Sequence, residues 1–327
     1  MGCEWSDKIF SSSGSFEALT MEIFHYQYMH NDLYRSYVNI LGIEPADINS
    51  VTQIPFLPVG FFKTHQVKSG VFEPAVVFES SGTTNTGNSR HFVKDVSLYE
   101  SSFTNGFKIF YGDPAGWCIL ALLPSYLERK NASLVYMAEK LIEKSGHPCS
   151  GFYLNEFEEL YALLTEMEKQ KQKTLLLGTT FALLDFSERK PLPLRHTIIM
   201  ETGGMKGRRE EMTREEVHVR LKKAFGAAKI HSEYGMTELL SQAYSLSGGR
   251  FSTPPWMKVF VRDEEDPLAL YVQSNTTGAI NIIDLANVHS CAFIATDDVG
   301  MIHPDGSFEV LGRMDGSDLR GCSLMTL

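Results

Sequence analysis

The sequence FESSGTTNTGNSRHF, residues 78–92, places a run of small hydroxyl, amide and glycine residues between two phenylalanines. The preceding run AVVFESS is typical of a short buried strand, so the polar stretch begins where a strand ends. Glycines let backbone N–H groups converge on an anion, and Ser, Thr and Arg side chains add donors. The stretch predicts a phosphate-binding loop, although the same residues also form ordinary polar turns. It is not a Walker loop, because no Gly-Lys-Ser/Thr follows the glycines.

Composition argues against several classes of protein. A chain of 327 residues with 43% hydrophobic content can bury a large core. Its net charge of −10 and the lack of a Lys/Arg stripe argue against nucleic-acid binding. Five cysteines without a CxxC pair favour neither a zinc site nor a disulfide framework, and they fit a reducing cytoplasm. No apolar run reaches the roughly 20 residues of a membrane-spanning helix.

Helical and strand patterns alternate along the first 250 residues. Residues 16–41 predict an amphipathic helix or helix pair, NEFEELYALLTEMEK a helix capped by Asn155, and TREEVHVRLKKAF a helix with a Thr213–Glu216 capping box. TLLLGTT and HTIIMETGG are strand-like, so we expect a mainly parallel sheet. LALYVQS, GAINIID and CAFIATDD then predict short strands. We therefore divide the chain into an α/β nucleotide- and acyl-binding region, 1–250, and a β-rich lobe with a hinge-like motif and C-terminal tail, 251–327, within one continuous module.

Three further polar motifs follow the predicted loop: HSEYGMTE at 231–238, TDDVG at 296–300 and EVLGRMDGSDLRG at 309–321. In the first, a tyrosine can cover a purine, a threonine can bond a phosphate, and a glutamate can hold Mg²⁺. A carboxylate of the second can accept ribose hydroxyls. Taken singly, the three are equally typical of a capped strand-to-helix turn, a turn and a solvated hairpin.

Taken together and in this order, the motifs resemble those of the adenylate-forming superfamily of acyl- and aryl-CoA ligases, luciferase-like enzymes and peptide-synthetase adenylation domains. A closer resemblance, to the LuxE-type acyl-protein synthetases (long-chain-fatty-acid protein ligases), lies in IPFLPVGFFKTHQVKSG, ETGGMKGRREEMTREE and RGCSLM. It extends from about residue 50 to the end of the sequence. It implies an α/β fold of the adenylate-forming N-terminal type, with parallel sheets and a smaller β-rich lobe. Because the sequence ends just past the hinge motif, we expect no mobile C-terminal domain.

The resemblance implies an ATP-dependent acid–thiol ligase with ATP and Mg²⁺ as cofactors. A fatty acid or related carboxylate would become acyl-AMP, and the acyl group would pass to a protein cysteine and then to a partner resembling an acyl-CoA reductase. Two alternatives stay open. One is an acyl- or aryl-CoA ligase of the phenylacetate type, and the other is a non-catalytic protein that binds a nucleotide or acyl group.

The resemblance also assigns a nucleotide site. Ser80, Ser81, Thr83 and Thr84 would grip the phosphates, while Gly82 and Gly87 permit the turn. Gly203 and Gly204 would lie beside the adenine, and Tyr234 would cover its face. Gly235 is also assigned to the nucleotide site. Thr237 would bond the α-phosphate, Glu238 would hold Mg²⁺, Asp298 the ribose, and Arg313 the ribose or α-phosphate.

The remaining assignments concern catalysis. The superfamily loop continues as Gly-x-Pro-Lys, whereas Asn88, Ser89 and Arg90 follow here, so Arg90 would meet the leaving phosphates, with His91 assisting. Lys206 or Arg208 would replace the lysine of the C-terminal domain. Cys322, in RGCSLM, would accept the acyl group.

Overall fold

A computed structural model describes residues 4–11, 14–80, 87–123, 131–154, 156–203, 212–263, 266, 268–271 and 273–314. The α-helices of the described residues are α1 Glu4–Phe10, α2 Phe16–His30, α3 Asp32–Ile40, α4 Phe61–Thr64, α5 Val96–Tyr111, α6 Ser133–Ser145, α7 Phe157–Gln170, α8 Thr180–Arg189 and α9 Arg214–Phe225. Among them, none is long and apolar enough to cross a bilayer.

Side-chain caps explain where several helices begin. The predicted helix pair is confirmed, because Asn31 ends α2 and its side chain accepts the Tyr34 N–H at 3.0 Å to open α3. The predicted capping box of α9 is also present, with Thr213 and Glu216 bonding reciprocally. The predicted cap of α7 was wrong. That helix begins after Glu156, and Asn155 lies outside the described residues.

The strands of the described residues are β1 Leu57–Pro58, β2 Val76–Glu79, β3 Arg90–Val93, β4 Cys118–Leu122, β5 Gly151–Tyr153, β6 Thr174–Thr179, β7 Thr197–Thr202, β8 His231–Tyr234, β9 Ala243–Ser245, β10 Arg250–Ser252, β11 Met257–Arg262, β12 Thr277–Asp284, β13 Phe293–Ile302 and β14 Phe308–Arg313.

Twelve of these strands form one sheet in the order β11-β12-β13-β14-β10-β9-β8-β7-β6-β4-β5, with β1 beside β13. Neighbours from β5 to β8 run parallel, and neighbours from β8 to β11 run antiparallel. This confirms the predicted α/β class. The antiparallel strands extend the same sheet, and the division of the chain at residue 250 stays a prediction.

Two strand predictions need correction. The segment AVVFESS, predicted to be a buried strand, is β2 in the described residues, which pairs with β3 in a separate antiparallel hairpin and has Phe78 as its one buried residue. LALYVQS forms no strand over its described residues. Leu270 makes an isolated bridge with Arg262, and the Tyr271 side chain is exposed. Aromatic and β-branched content there was misleading without a partner strand to cover it.

The two faces of the parallel strands pack against different helices. Leu177 of β6 and Met200 of β7 belong to the same core as Phe103 of α5. The intervening residues face the opposite way, so Ile199 packs in a second core with Leu221 of α9. We call these two sides the α5 face and the α9 face.

Candidate active site

Three predicted nucleotide-binding side chains meet where β8, β13 and β14 converge. The Tyr234 hydroxyl donates to Asp298 Oδ2 at 2.8 Å. Arg313 Nε lies 3.3 Å from Asp298 Oδ1, and the two residues stand opposite each other in the β13–β14 pairing. Arg313 also reaches Asp297 at 3.4 Å. One charged cluster therefore joins Asp298 to Tyr234, 64 residues away in sequence, and to Arg313.

Aromatic packing holds the Tyr234 side chain in this cluster. Its ring centroid lies 5.8 Å from that of Phe251 and 5.6 Å from that of Phe308. Only 5% of Tyr234 is exposed. The two phenylalanine rings thus hold the Tyr234 ring in place. The stacking of adenine on the Tyr234 ring stays a prediction.

The base of the predicted phosphate loop is closed by two serines. Ser80 N–H donates to Ser89 O at 3.0 Å, and Ser89 N–H donates to Ser80 Oγ at 2.9 Å. Gly87 has a φ of +86°, which favours glycine. The Ser80 hydroxyl therefore closes the hairpin of β2 and β3, and a phosphate contact by Ser80 stays a prediction.

This hairpin is tied to the predicted magnesium motif. His91 Nδ1 donates to Thr237 O at 2.9 Å, and Asn287 Nδ2 donates to Glu238 O at 2.8 Å. Burial lowers the pKa of His91 to about 4, so its neutral ring carries the Nδ1 proton. We call His91 and Asn287 the carbonyl clamp. The sequence assigned His91 to the leaving phosphates and gave no role to Asn287, whereas both side chains hold the backbone of this motif.

Some of the remaining predicted site residues lie within the described ranges, and others do not. Arg90 is exposed beside Phe92, with its guanidinium 5.6 Å from the ring centroid. Gly203 has a φ of +69°, and its carbonyl accepts the Thr180 hydroxyl at 2.6 Å. Glu238 is 1% exposed. The others lie outside the described residues: Ser81, Gly82, Thr83, Thr84, Gly204, Lys206, Arg208 and Cys322.

Two buried carboxyl groups that we did not predict lie near the ends of β7 and β8. On the α9 face, Glu201 Oε1 lies 3.4 Å from Arg214 Nε and 3.6 Å from His218 Nε2, while Thr180 Oγ1 donates to Oε2 at 3.0 Å. Burial alone would raise the pKa of Glu201, but His218 and Arg214 hold it below its ordinary value. Glu201 is therefore an ionised, paired carboxylate.

Glu233 has a different environment on the α5 face. Its carboxylate accepts a hydrogen bond from the Thr202 hydroxyl. Burial raises the pKa of Glu233 to about 7, and the negative charge of Glu201 adds to the rise. A glutamate inside the apolar strand run IIMETGG was the sequence signal for Glu201. The polar segment HSEYG gave no such signal for Glu233.

Comparison with solved structures decides the fold. The chain resembles 2-hydroxyisobutyryl-CoA ligase bound to 2-HIB-AMP and CoA, with a TM-score of 0.67, 13% identity, and coverage of 91% of this chain and 67% of that one. The fold is that of the adenylate-forming enzymes. ATP-bound MatB from Rhodopseudomonas palustris matches with a TM-score of 0.55, 16% identity and 75% coverage of this chain. The luciferase-like enzyme of the mealworm Zophobas morio matches with a TM-score of 0.52 and 17% identity. The match covers 76% of this chain and 60% of that one.

Sequence comparison points to the same fold. The chain is 23% identical to the long-chain-fatty-acid–luciferin-component ligase of Aliivibrio fischeri over 94% of its length and 86% of the relative. No protein-family model matches. The chain spans about half the length of MatB, 50%, so resemblance to these adenylate-forming structures carries the fold and not the whole activity.

Proposed function

We propose that this protein joins a carboxylic acid to the AMP part of ATP and then transfers the acyl group to a thiol. The observation that carries the proposal is the meeting of Tyr234, Asp298 and Arg313 in one cluster of polar contacts. A ribose requires a fixed acceptor for its hydroxyls, and an α-phosphate requires a nearby cation. The relative from A. fischeri is named as a fatty-acid ligase, which supports a carboxylate substrate.

In the first step, a carboxylate oxygen attacks the α-phosphorus, the bond to the bridging oxygen breaks, and pyrophosphate leaves with the electron pair. The protein's task is to align the reactants and to neutralise charge. Asp298 would orient the ribose, Arg313 the α-phosphate, and Arg90 the departing phosphates. Thr237 would add a hydrogen bond, with its backbone held by the carbonyl clamp.

Magnesium would supply further charge neutralisation on the phosphates. Glu238 offers the hard carboxylate oxygen that Mg²⁺ prefers, and Mg²⁺ in such sites takes one or two carboxylates together with substrate phosphates. Among the described residues no group of three or more His, Cys, Asp or Glu side chains could hold a metal alone. A single protein ligand completed by ATP fits this arrangement.

In the second step, a thiolate attacks the acyl carbon, the bond to the AMP oxygen breaks, and AMP leaves. We propose Cys322 as this nucleophile, with Lys206 or Arg208 near the reacting groups. Burial raises the pKa of both Cys118 and Cys291 to about 12, which disfavours the reactive thiolate. We further propose a fatty acid as the donor acid, a reductase as the partner that receives the acyl group, and the cytoplasm as the site of action.

Pyrophosphate exchange into ATP tests the first step. With a panel of carboxylic acids and Mg²⁺, we expect acid-dependent exchange, and Asp298→Asn should lower kcat/KM for ATP at least about tenfold. Asp305→Asn, at an exposed turn, is the matched control and should change little. Absence of exchange with every acid would contradict the proposal and favour a non-catalytic binding protein.

Intact mass after incubation with ATP and acid tests the second step. Cys322→Ser should keep exchange but lose a hydroxylamine-labile acyl adduct, and Cys149→Ser, a half-buried thiol, should keep both. A labile adduct persisting on Cys322→Ser would show that another residue accepts the acyl group.

A second candidate is a CoA ligase, favoured by the structural match to 2-hydroxyisobutyryl-CoA ligase over 91% of this chain. Soluble acyl-CoA formed on addition of CoA, without a protein adduct, would select it.

A further inference from the structure

Four side chains with polar groups form a row across the ends of β6, β7 and β8 and the adjoining strand β9. Thr179 stands opposite Thr202, Thr202 opposite Glu233, and Glu233 opposite Tyr244. Directly paired residues of neighbouring strands project from the same face of a sheet. We call Thr179, Thr202, Glu233 and Tyr244 the polar row.

The polar row lies on the α5 face. Leu177 and Met200 each stand two residues before a threonine of the row and pack in one core with Phe103 of α5. The charge of Glu233 also acts on Tyr99 and Tyr111 of the same helix. Helix α5 is in contact with the Tyr244 end of the row, because a Cβ on Gly106 would stand 3.9 Å from the Tyr244 ring.

Two buried polar atoms at this face have no hydrogen-bond partner within the described part of the chain. Thr179 is 1% exposed, and its Oγ1 has no hydrogen-bond partner among the described residues. Gln242 Oε1 is likewise buried and unpartnered within the described chain. Since buried polar groups are nearly always bonded, unpartnered ones call for an explanation. Gln242 Oε1 and the Glu233 carboxylate accept hydrogen bonds, so a matching ligand must bring donors.

The row lies directly beneath the proposed nucleotide site. Thr202 precedes Gly203, and Glu233 precedes Tyr234 in the chain. A Cβ placed on Gly235 would stand 2.5 Å from Glu233 Oε1 and 3.4 Å from Gln242 Cγ. The missing side chain at Gly235 therefore leaves the Glu233 carboxyl next to half-buried backbone of the predicted adenine motif.

We propose that the polar row holds the acyl part of the substrate, and that this substrate is a carboxylic acid bearing a hydroxyl or amino donor. The inference rests on the proposed function, in which the acyl group is joined to the α-phosphate that Thr237 would bond. A plain alkyl chain lying on the row would leave the Thr179 hydroxyl and the Gln242 carbonyl oxygen without hydrogen bonds and would cover the Glu233 carboxyl. A donor on the chain satisfies them and is selected for the same reason.

Matched pairs of acids test this inference by pyrophosphate exchange. Suitable pairs are butanoate and 3-hydroxybutanoate, phenylacetate and 4-hydroxyphenylacetate, dodecanoate and 12-hydroxydodecanoate, and propanoate and β-alanine. We expect the substituted member of at least one pair to exceed its partner at least about tenfold in kcat/KM. Exchange that favours the unsubstituted acid in every pair would overturn this inference and leave the proposed function intact. No exchange with any acid would overturn both.

Variants locate the preference on the row. We express the preference as the ratio of kcat/KM for the substituted acid to kcat/KM for its unsubstituted partner. Glu233→Leu should bring this ratio close to one. Thr179→Val removes only a hydroxyl and should lower the ratio about threefold if the protein folds normally. Thr174→Val, a buried hydroxyl at the other end of β6 that donates to Gln172 O, is the matched control and should leave it unchanged. A ratio unchanged in both Glu233→Leu and Thr179→Val would overturn the assignment.

Discussion

Each face of the sheet contains one buried glutamate, and the two glutamates have opposite pKa shifts. On the α9 face, Glu201 has an arginine, a histidine and a threonine around its carboxylate. On the α5 face, Glu233 sits on the next strand and accepts from one threonine hydroxyl. Burial opposes ionisation of both groups, yet the pKa of Glu201 is lowered and that of Glu233 is raised to about 7.

The difference shows how partners decide the use of a buried carboxyl group. A paired carboxylate fixes neighbouring elements, and Glu201 joins β7 to α9. A buried carboxyl group with a raised pKa next to a proposed binding site is a candidate for substrate contact. The α9 face of this site therefore supports the fold, and the α5 face carries the proposed selectivity. Four substitutions test this contrast.

The largest effect is expected from Glu233→Gln in the pH dependence of stability. Because folding raises the pKa of Glu233 from its ordinary 4.5 to about 7, its contribution is full below 4.5 and is lost as pH rises past 7. One pKa unit is about 1.4 kcal/mol, so wild type should lose about 3 kcal/mol relative to the variant across this range. Urea unfolding at several pH values measures it.

A second buried acid serves as the internal control for that experiment. Burial raises the pKa of Asp284 to about 6, and Asp284 is present in both proteins, so its effect cancels in the difference. Parallel stability curves for wild type and Glu233→Gln would show that the Glu233 carboxyl is not perturbed, and the contrast between the faces would disappear.

On the α9 face, Arg214→Met should act through stability without a comparable pH dependence near neutrality. It leaves the buried Glu201 carboxylate with the His218 ring and the Thr180 hydroxyl beside it, and breaking buried pairs costs several kcal/mol. Since the Arg214 side chain is 22% exposed, we expect a smaller loss of about 2 kcal/mol. Lys223→Met, an exposed position on the same helix, should stay within about 0.5 kcal/mol. Equal unfolding midpoints for the two variants would contradict the structural role of Arg214.

A third change removes one partner from the other paired carboxylate of the site. Tyr234→Phe deletes the hydroxyl that donates to Asp298 at 2.8 Å but keeps the ring between Phe251 and Phe308. Because Arg313 still pairs with Asp298, we expect ATP affinity to fall about tenfold and stability to change little. Calorimetric titration with ATP measures the affinity, and thermal unfolding measures the stability. Unaltered affinity would remove this hydroxyl from the nucleotide site.

The sequence predicted what depends on local pattern and motif order. Helix periodicity, the Thr213–Glu216 capping box and the alternation of strands and helices were sufficient for the fold class. They could not place β2, since its apolar run suits a sheet strand as well as a hairpin, and only tertiary pairing decides. The strand predicted at LALYVQS, where Leu268 and Tyr271 are exposed, was wrong for the same reason.

The candidate site was predictable in part. Tyr234, Asp298 and Arg313 were assigned together from their motifs, and β13 and β14 bring two of them into register. The polar row was not predicted, because it exists only once strand register aligns single residues from separate segments. Asn287 of the carbonyl clamp lies in an otherwise apolar stretch, where one amide gives no sign of the distant carbonyl it binds.

The smallest expected effect concerns the carbonyl clamp, which lies outside both faces and joins the β2–β3 hairpin to the motif that follows β8. His91→Ala removes the Nδ1 donor to Thr237 O, and one hydrogen bond is worth about 1 kcal/mol, or roughly fivefold in kcat/KM for ATP. His91→Asn places an amide N–H near the position of Nδ1 and should recover most of that loss. Because the clamp holds backbone and does not contact the acyl group, the preference between matched acids should stay constant in both variants. A change in that preference would mean that the hairpin and the polar row act on the substrate together. Substrate selectivity would then depend on the β2–β3 hairpin as well as on the α5 face.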